Sequence, residues 1–303
     1  MIKKWLFALW LISRGTIREL LKNDPLRMAG ATAFFATFGI PPVIMIIVRS
    51  FGLFFDRHLL GNQLFGKLNE VIGTESAEQI RNTIRSFRAL QQNTLITVLG
   101  FIFLLFVATT LFRVVKSSIN QVWDISVPRR TSLGQRLSGR LHSIVIILFT
   151  GLLFMAVLMA DAFQAVLARY ITGRPHTLFY LDGLISELAS LAVGIAWFFV
   201  LFIYLPDGRP PRNIALVGAI ITALLFRLGR FIIGLLLSAN NIGTVYGASG
   251  TIVFMLLFVF YSAIILYLGA AFTKVWARYQ KQPIKPRPYA LKQGVAHRHV
   301  NKK

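Results

Sequence analysis

Long apolar stretches alternate with short polar or basic segments along most of this chain. One helical membrane span needs about 20 mostly apolar residues. By that measure the pattern predicts six spans, near residues 28–55, 94–115, 143–170, 183–205, 213–238 and 249–273. The predicted fold class is therefore all-α, a polytopic membrane protein with six transmembrane helices in one bundle over residues 28–275.

Three segments outside these spans have patterns of their own. Residues 1–27 carry apolar and basic positions at helical spacing, which predicts an amphipathic helix lying on the cytoplasmic leaflet. Residues 56–93 predict a helical hairpin on the external face, whereas residues 276–303 are basic, proline-bearing and aperiodic, which predicts a disordered cytoplasmic tail. The hairpin positions that recur at helical spacing are Ala77, Ile80, Ile84 and Phe87.

Composition and charge placement agree with a membrane protein and give it an orientation. Hydrophobic residues make up 55% of the chain and charged residues only 15%, yet the formal net charge is +22, a combination that soluble domains rarely show. The segments on one side of the predicted spans hold 22 Lys and Arg residues, and those on the other side hold six. By the positive-inside rule, both termini are expected in the cytoplasm and segment 56–93 outside.

The excess of basic residues also raises the question of partners. None of the sequence signatures of DNA- or RNA-binding modules appears, so we expect no nucleic-acid partner and instead anionic lipids at the cytoplasmic face. The chain has no cysteine, which excludes disulfides, cysteine-ligated zinc and a thiol nucleophile. Its five histidines are scattered, so neither a metal, a cofactor nor a catalytic site is predicted.

Ionisable residues inside the predicted spans are the candidate functional site. Arg49, Asp161, Glu187, Arg227 and Arg230 come from four spans and are predicted to converge on one layer in the outward half of the bilayer. Each charge at a helix centre costs about 2.5–3.5 kcal/mol on insertion scales, which favours side chains that face one another or a wet cavity. Three guanidinium groups against two carboxylates favour an anionic ligand, such as a phosphate or carboxylate group.

Two structural interpretations of this layer stay open beside the functional one. In the first, the charges form a structural ion-pair network. In the second, some of the arginines extend toward the outer headgroups, which Arg49 is near enough to the surface to do. The adjacent prolines Pro41 and Pro42 remove two amide donors mid-span and predict a kink in the first helix, which suits a bundle with a cavity.

Four sequence segments together resemble a known family. "YLPDGRPPRN", "TVYGASG", "AGATAFFATFGIPP" and "SINQVWDI" are similar to segments of the YihY/BrkB family of bacterial inner-membrane proteins, once labelled ribonuclease BN. Ala271 departs from the family pattern, since many members carry glutamate there. The motif residues on which the resemblance rests are Pro41, Pro42, Asn120, Trp123, Pro206, Tyr246, Gly247 and Gly250.

The resemblance implies six helices and an inner-membrane location, but it brings no established reaction. Some members have been labelled serum-resistance factors, which is a virulence and cell-envelope role. Another label is that of a tRNA-processing ribonuclease. Hydrolysis of a phosphodiester needs metal-binding carboxylates or paired histidines. The predicted cytoplasmic segments offer only four acids, which are dispersed along the sequence, so an enzyme is not expected: Glu19, Asp24, Asp124 and Asp207.

The leading hypothesis is a transporter or flippase-like protein for an anionic solute or lipid headgroup, acting through the layer of ionisable residues. The alternative is a non-transporting envelope scaffold that stabilises partners or bilayer organisation. A continuous wet path from this layer to either face or to lipid distinguishes the two, because a scaffold needs none.

Overall fold

The computed structural model describes residues 2–51, 94–127, 177–239 and 250–292, and isolated positions between 62 and 85. The described chain is mostly helical, in agreement with the predicted all-α class. Its helices are α1 (Ile2–Leu21), α2 (Pro25–Phe51), α3 (Thr94–Val122), α4 (Thr177–Tyr204), α5 (Arg212–Ala239) and α6 (Gly250–Tyr279). Its strands are β1 (Ile125–Ser126), β2 (Gly208–Arg209), β3 (Lys285–Pro286) and β4 (Leu291–Lys292).

The long helices occupy the positions of the predicted spans wherever the structure describes them. Two stretches, Arg212–Ile232 in α5 and Met255–Tyr279 in α6, are long and apolar enough to cross a membrane by length and composition. Helices α2, α3 and α4 are apolar and have 27, 29 and 28 residues. The span predicted over 143–170 lies outside the described residues, so the count of six remains a prediction.

Helix α6 is the central element of the bundle, since it packs against α1, α2, α3 and α5, while α2 packs on α3 and α4 on α5. Its contact with α5 depends on two glycine–threonine pairs. A Cβ added to Gly218 would overlap with the Thr273 side chain, and one added to Gly269 would overlap with Thr222. Both threonine hydroxyls are held in place by hydrogen bonds to backbone carbonyls in their own helices. Small residues therefore let α5 and α6 approach closely, as is common between membrane helices.

The N-terminal helix lies against this bundle. Ile12 and Leu20 are buried, and Gly15 faces Val275 of α6 so closely that a Cβ would lie 3.2 Å from that side chain. Asp24, with a φ of 52°, turns the chain from α1 into α2. Helix α1 thus packs one face on α6, and its opposite face is exposed.

Segment 56–93 is helical at the positions that the structure describes, and the predicted hairpin itself stays a prediction. Ala77, Ile80 and Ile84 are helical and buried, and they pack against Met255 and Phe258 of α6. The fourth predicted position, Phe87, lies outside the described residues.

The prediction of a disordered tail from residue 276 is wrong for residues 276–292. Helix α6 continues to Tyr279, and β3 and β4 then pair antiparallel with β2 and β1. A basic, proline-bearing segment is expected to be disordered because it can bury little apolar surface. Here the segment is ordered because its main chain forms hydrogen bonds with β1 and β2. Residues 293–303 lie outside the described residues.

These connections gather at one end of the bundle, called here the polar end. It comprises residues 19–24, 116–127, 204–212 and 274–292.

Candidate functional site

Asp207 is the buried centre of one group of polar side chains at the polar end, the Asp207 cluster. Its carboxylate is almost inaccessible, with 1% residue exposure, and lies 2.7 Å from the Lys116 ammonium. Asn120 donates its amide to this carboxylate at 2.7 Å and accepts the backbone N–H of Asp207 at 2.8 Å. The Tyr289 hydroxyl donates to the other carboxylate oxygen at 2.8 Å. The cluster thus ties α3, the α4–α5 connection and the C-terminal segment together.

The contact with Asp207 changes the acidity of the Tyr289 hydroxyl. Partial burial raises the pKa of the Tyr289 hydroxyl above its usual value of 10.0, and both the hydrogen bond and the negative charge of Asp207 raise it further. A phenolate facing a carboxylate is disfavoured, so Tyr289 stays a proton donor at neutral pH.

Lys274 is the centre of a second group, the Lys274 cluster. Its ammonium lies 2.6 Å from the Glu19 carboxylate and 2.7 Å from that of Asp124, and it also donates to the Val122 carbonyl. Arg278 adds a second cation, 3.0 Å from Glu19 and 3.6 Å from Asp124. Lys274 is 5% exposed and Glu19 8%, so the pair is buried. This cluster joins α1, the α3–β1 junction and α6.

Three of the motif residues lie between and around these clusters. Asn120 belongs to the Asp207 cluster, and the Trp123 indole donates to the Ala270 carbonyl at 2.9 Å while packing on Phe202. Pro206 is fully buried beside Asp207 in the chain. The motifs therefore mark the packing of the polar end. Gly250 opens α6, helix α2 runs continuously through Pro41 and Pro42, and Tyr246 and Gly247 lie outside the described residues.

The polar end brings together acids that are far apart in the sequence. Glu19 and Asp124 are dispersed along the sequence, but in the folded chain they share one lysine, so this pair is not dispersed in space. Every one of their carboxylates, and that of Asp207, already faces a cation. Within the described residues, no group of three or more His, Asp or Glu side chains is placed to hold a metal ion. The clusters therefore have the character of buried ion pairs that join helices.

The predicted layer of ionisable residues is described only in part. Arg227 and Arg230 lie on α5 at exposed positions, whereas the prediction placed both facing the bundle interior. Arg49 lies in α2 and Glu187 in α4, and Asp161 lies outside the described residues. Convergence of the five residues stays a prediction.

One further polar group lies beside this arginine pair and was missed from the sequence. The Tyr261 hydroxyl of α6 is buried and makes no hydrogen bond of standard geometry within the described structure, although the Ser262 side chain lies close enough to interact with it. Its ring packs on Phe226 and Phe258, and a Cβ added to Gly229 would lie 3.1 Å from it. An aromatic residue in an apolar helix gives no signal of this kind, because tyrosine is common in packed cores.

Sequence reasoning also missed Lys116, Lys274 and Tyr289 as members of the clusters. Lys116 and Lys274 sit near the polar ends of apolar helices, where positive charge was read only as a topology signal. The signal available was Asp207, an acid between two apolar spans in a strongly basic setting.

Comparison with known proteins places the chain in a family. Residues 16–292 match the family described as "Virulence factor BrkB". The chain belongs to this BrkB family. The resemblance noted from the four motif segments is thereby confirmed, and both clusters of the polar end fall inside the matched region.

Relatives of this BrkB-family chain carry the name UPF0761 membrane protein. One from Pseudomonas aeruginosa strain LESB58 is 25% identical over 262 residues, covering 82% of this chain and 60% of the relative. One from Teredinibacter turnerae is 25% identical over 84% of this chain and 57% of the relative. The chain thus spans about 60% of the length of these relatives. No solved structure matches. The BrkB-family chain is a membrane protein, and its relatives' names assign no reaction.

Proposed function

We propose that this BrkB-family protein translocates an anionic lipid headgroup, or a solute of the same chemistry, along the face of α5 that carries Arg227 and Arg230. The observation that carries the proposal is the pair of exposed guanidinium groups in an apolar segment of α5, with the buried Tyr261 hydroxyl close by. The Tyr261 ring packs against Gly229, the residue that precedes Arg230. A guanidinium and a hydroxyl donor together suit a phosphate or carboxylate.

The exposed setting of the arginines favours a lipid over a solute enclosed in a channel. Large apolar side chains of the same helix segment are exposed as well, and a ligand with both an anionic group and acyl chains matches this mixture. The exposed apolar side chains of this segment are Leu224, Leu228, Phe231 and Ile232.

The register of α4 and α5 brings position 187 to the level of Arg230. These helices are joined by a short connection, residues 205–211, and are therefore neighbours of opposite direction. Gly194 of α4 faces Ala223 of α5, with 3.8 Å between an added Cβ and the alanine. Two helical turns further, positions 187 and 230 come opposite one another. In the proposal, the path along α5 therefore passes position 187 of α4 at the level of Arg230.

The proposed orientation follows the partition of basic residues, 22 against six. It places the polar end and both termini in the cytoplasm, segment 56–93 outside and the protein in the inner membrane with six spans. Arg227 and Arg230 then lie 14 and 17 residues from Asn213, in the outward half of the bilayer.

The test is reconstitution of the full chain in vesicles that carry fluorescent phosphatidylglycerol or phosphatidylcholine, with movement between leaflets followed by quenching. A parallel assay follows uptake of labelled glycerol phosphate, which distinguishes a solute from a lipid. We expect Arg230→Leu to slow movement of the anionic lipid about tenfold, the loss of one charge-assisted interaction, and Arg230→Lys to have an intermediate effect. Tyr261→Phe tests the hydroxyl, and Arg212→Leu, at an exposed position of the same helix outside the proposed path, is the matched control.

Wild-type rates from the Arg227→Leu, Arg230→Leu double variant would show that the pair has no transport role and would leave snorkelling as its explanation. If the wild-type protein moves neither lipid nor solute faster than protein-free vesicles, the alternative function, a non-transporting envelope scaffold, is favoured.

A further inference from the structure

The polar end holds an open cleft of about 620 Å³ that the proposed transport path does not use. It lies between the α1–α2 turn, the last three turns of α3, strand β1 and the α4–α5 connection. Basic and hydroxyl side chains make up much of its wall. Among its lining residues are Lys22, Arg113, Lys116, Ser117, Asp124 and Asp207.

The two carboxylates of this cleft are already neutralised. Asp207 faces Lys116 and accepts hydrogen bonds from Asn120 and Tyr289, and Asp124 faces Lys274 from behind the cleft wall. Lys22 and Arg113 are both exposed, and neither has an ion-pair partner within the part of the chain that the structure describes. The cleft therefore presents two cations whose charge no neighbouring carboxylate cancels.

The position of Arg113 on α3 points to the kind of anion. Ile102, Phe106, Arg113 and Ser117 follow one another at spacings of four, seven and four residues, which places them on one face of the helix. Ile102 and Phe106 are 57% and 47% exposed, so an accessible apolar surface leads directly to the cations of the cleft. The distance along the axis from Phe106 to Arg113 is about 10 Å. An apolar surface adjoining a cationic cleft matches an amphiphile.

We propose that this cleft binds the phosphate of an anionic phospholipid, with the guanidinium of Arg113 and the ammonium of Lys22 on the phosphate and an acyl chain along Ile102 and Phe106. Ser117 is exposed one turn after Arg113 on α3, and its hydroxyl supplies a further hydrogen-bond donor for the phosphate. The site lies at the polar end, whereas the Arg227 and Arg230 pair lies far along α5, so it is occupied whether or not the protein translocates lipid. Its ligand is a bound structural lipid of the adjoining leaflet.

The experiment is native mass spectrometry of the purified full chain in detergent, titrated with dioleoyl phosphatidylglycerol or dioleoyl phosphatidylcholine. We expect one saturable phosphatidylglycerol adduct, and about fivefold weaker binding of that adduct in Arg113→Gln and in Lys22→Gln, a reduced figure for charge-assisted contacts at exposed positions. Arg212→Gln changes the net charge equally at an exposed position of the same end outside the cleft, and it should bind like the wild type.

The apolar half of the site has its own readout. Ile102→Gln leaves both cations in place and should weaken the lipid adduct, whereas inorganic phosphate at millimolar concentration should not displace the lipid. Displacement of phosphatidylglycerol by phosphate together with wild-type binding by Ile102→Gln would identify a soluble phosphate ligand and overturn the lipid assignment. Equal binding by Arg113→Gln, Lys22→Gln and Arg212→Gln would overturn the site itself, and thermal unfolding confirms that all variants are folded.

Discussion

The polar end and the far half of α5 differ in how exposed their charged side chains are. At the polar end, Lys274 and Asp207 are 5% and 1% exposed. Lys274 contacts two carboxylates, and Asp207 contacts an ammonium group and accepts a hydrogen bond from a tyrosine hydroxyl. On α5, Arg227 and Arg230 are exposed. The Tyr261 hydroxyl close to Arg230 is buried and makes no hydrogen bond of standard geometry in the described structure.

In the proposed function, this difference separates structural charges from charges that can bind a ligand. A buried ion that lost its partner would be strongly destabilising, so the polar-end clusters must form together with the fold. An exposed guanidinium has no such requirement and can change its partner when an anion arrives. Mutations in the two regions should therefore differ in kind, with stability lost in one and activity in the other.

The largest effect is expected for Lys274→Met. The change leaves the buried Glu19 carboxylate with Arg278 alone and removes one of the two cations on Asp124. Removing one partner of a buried ion pair costs about 3–5 kcal/mol, and we expect the lower value because Arg278 remains. Thermal unfolding in detergent measures the loss, and Glu19→Gln in the same chain should recover part of it.

Lys281→Met provides the control for this change, because Lys281 is exposed just beyond α6 and has no ion pair within the described residues. Equal unfolding temperatures for Lys274→Met and Lys281→Met would mean that the Lys274 cluster adds nothing to stability, and the contrast between the two regions would fail.

The next effect concerns the close approach of α5 and α6 toward the polar end. A methyl group in Gly269→Ala overlaps with the hydrogen-bonded Thr222 side chain, so the helices must separate, at a cost of about 1–3 kcal/mol. Thr222→Ala in the same chain should restore most of the stability. Gly30→Ala is the matched control, since an added Cβ there meets nothing within 4 Å. Unfolding temperatures of the four proteins check the prediction, and a neutral Gly269→Ala would contradict the packing.

The sequence predicted the helices well because their signal is local. Apolar length alone locates α2 to α6, and helical spacing alone identifies the burial of Ala77, Ile80 and Ile84. The same reasoning failed for residues 276–292, whose order comes from main-chain pairing with β1 and β2, more than 70 residues away in the chain. Such pairing leaves no local pattern in two-residue strands.

The clusters were harder to predict for a related reason. Glu19 and Lys274 are separated by 255 positions, and only tertiary packing brings them to 2.6 Å. The motif residues Asn120, Trp123 and Pro206 marked the right region, but through resemblance to a family, without indicating that they hold Asp207 and α6 together. The arginines of α5 were found from sequence because charge in an apolar run is itself the signal.

A smaller effect is expected at the contact of the C-terminal segment with the Asp207 cluster. Tyr289→Phe removes the hydrogen bond to Asp207, which should cost about 1 kcal/mol. The raised pKa of Tyr289 adds a pH dependence. Because the folded pKa lies above the unfolded value, the contribution is complete below pH 10.0 and declines as the pH rises through the folded pKa.

Unfolding temperatures of wild type and Tyr289→Phe between about pH 8 and pH 11 measure this dependence. The two curves should converge at the alkaline end. A constant difference across the range would show that the tyrosine proton has no part in holding the segment, and Tyr279→Phe, an exposed tyrosine in the last turn of α6, serves as the control.

The smallest effect on stability is expected for Arg230→Leu. A small effect is expected because this exposed arginine, unlike the buried charges of the polar end, is not needed for folding. The arginine is exposed on α5, so leucine removes a charge that costs about 2.5–3.5 kcal/mol at a helix centre and leaves no overlap in the bundle. We expect folded yield in detergent and unfolding temperature equal to or above those of the wild type, together with the loss of anion handling proposed above. If the arginine instead belongs to a structural pair with Asp161, Arg230→Leu should lower the yield by stranding a carboxylate, and Asp161→Asn in the same chain should restore it. That outcome would move Arg230 from the ligand-accessible charges to the structural ones and would make α5 resemble the polar end.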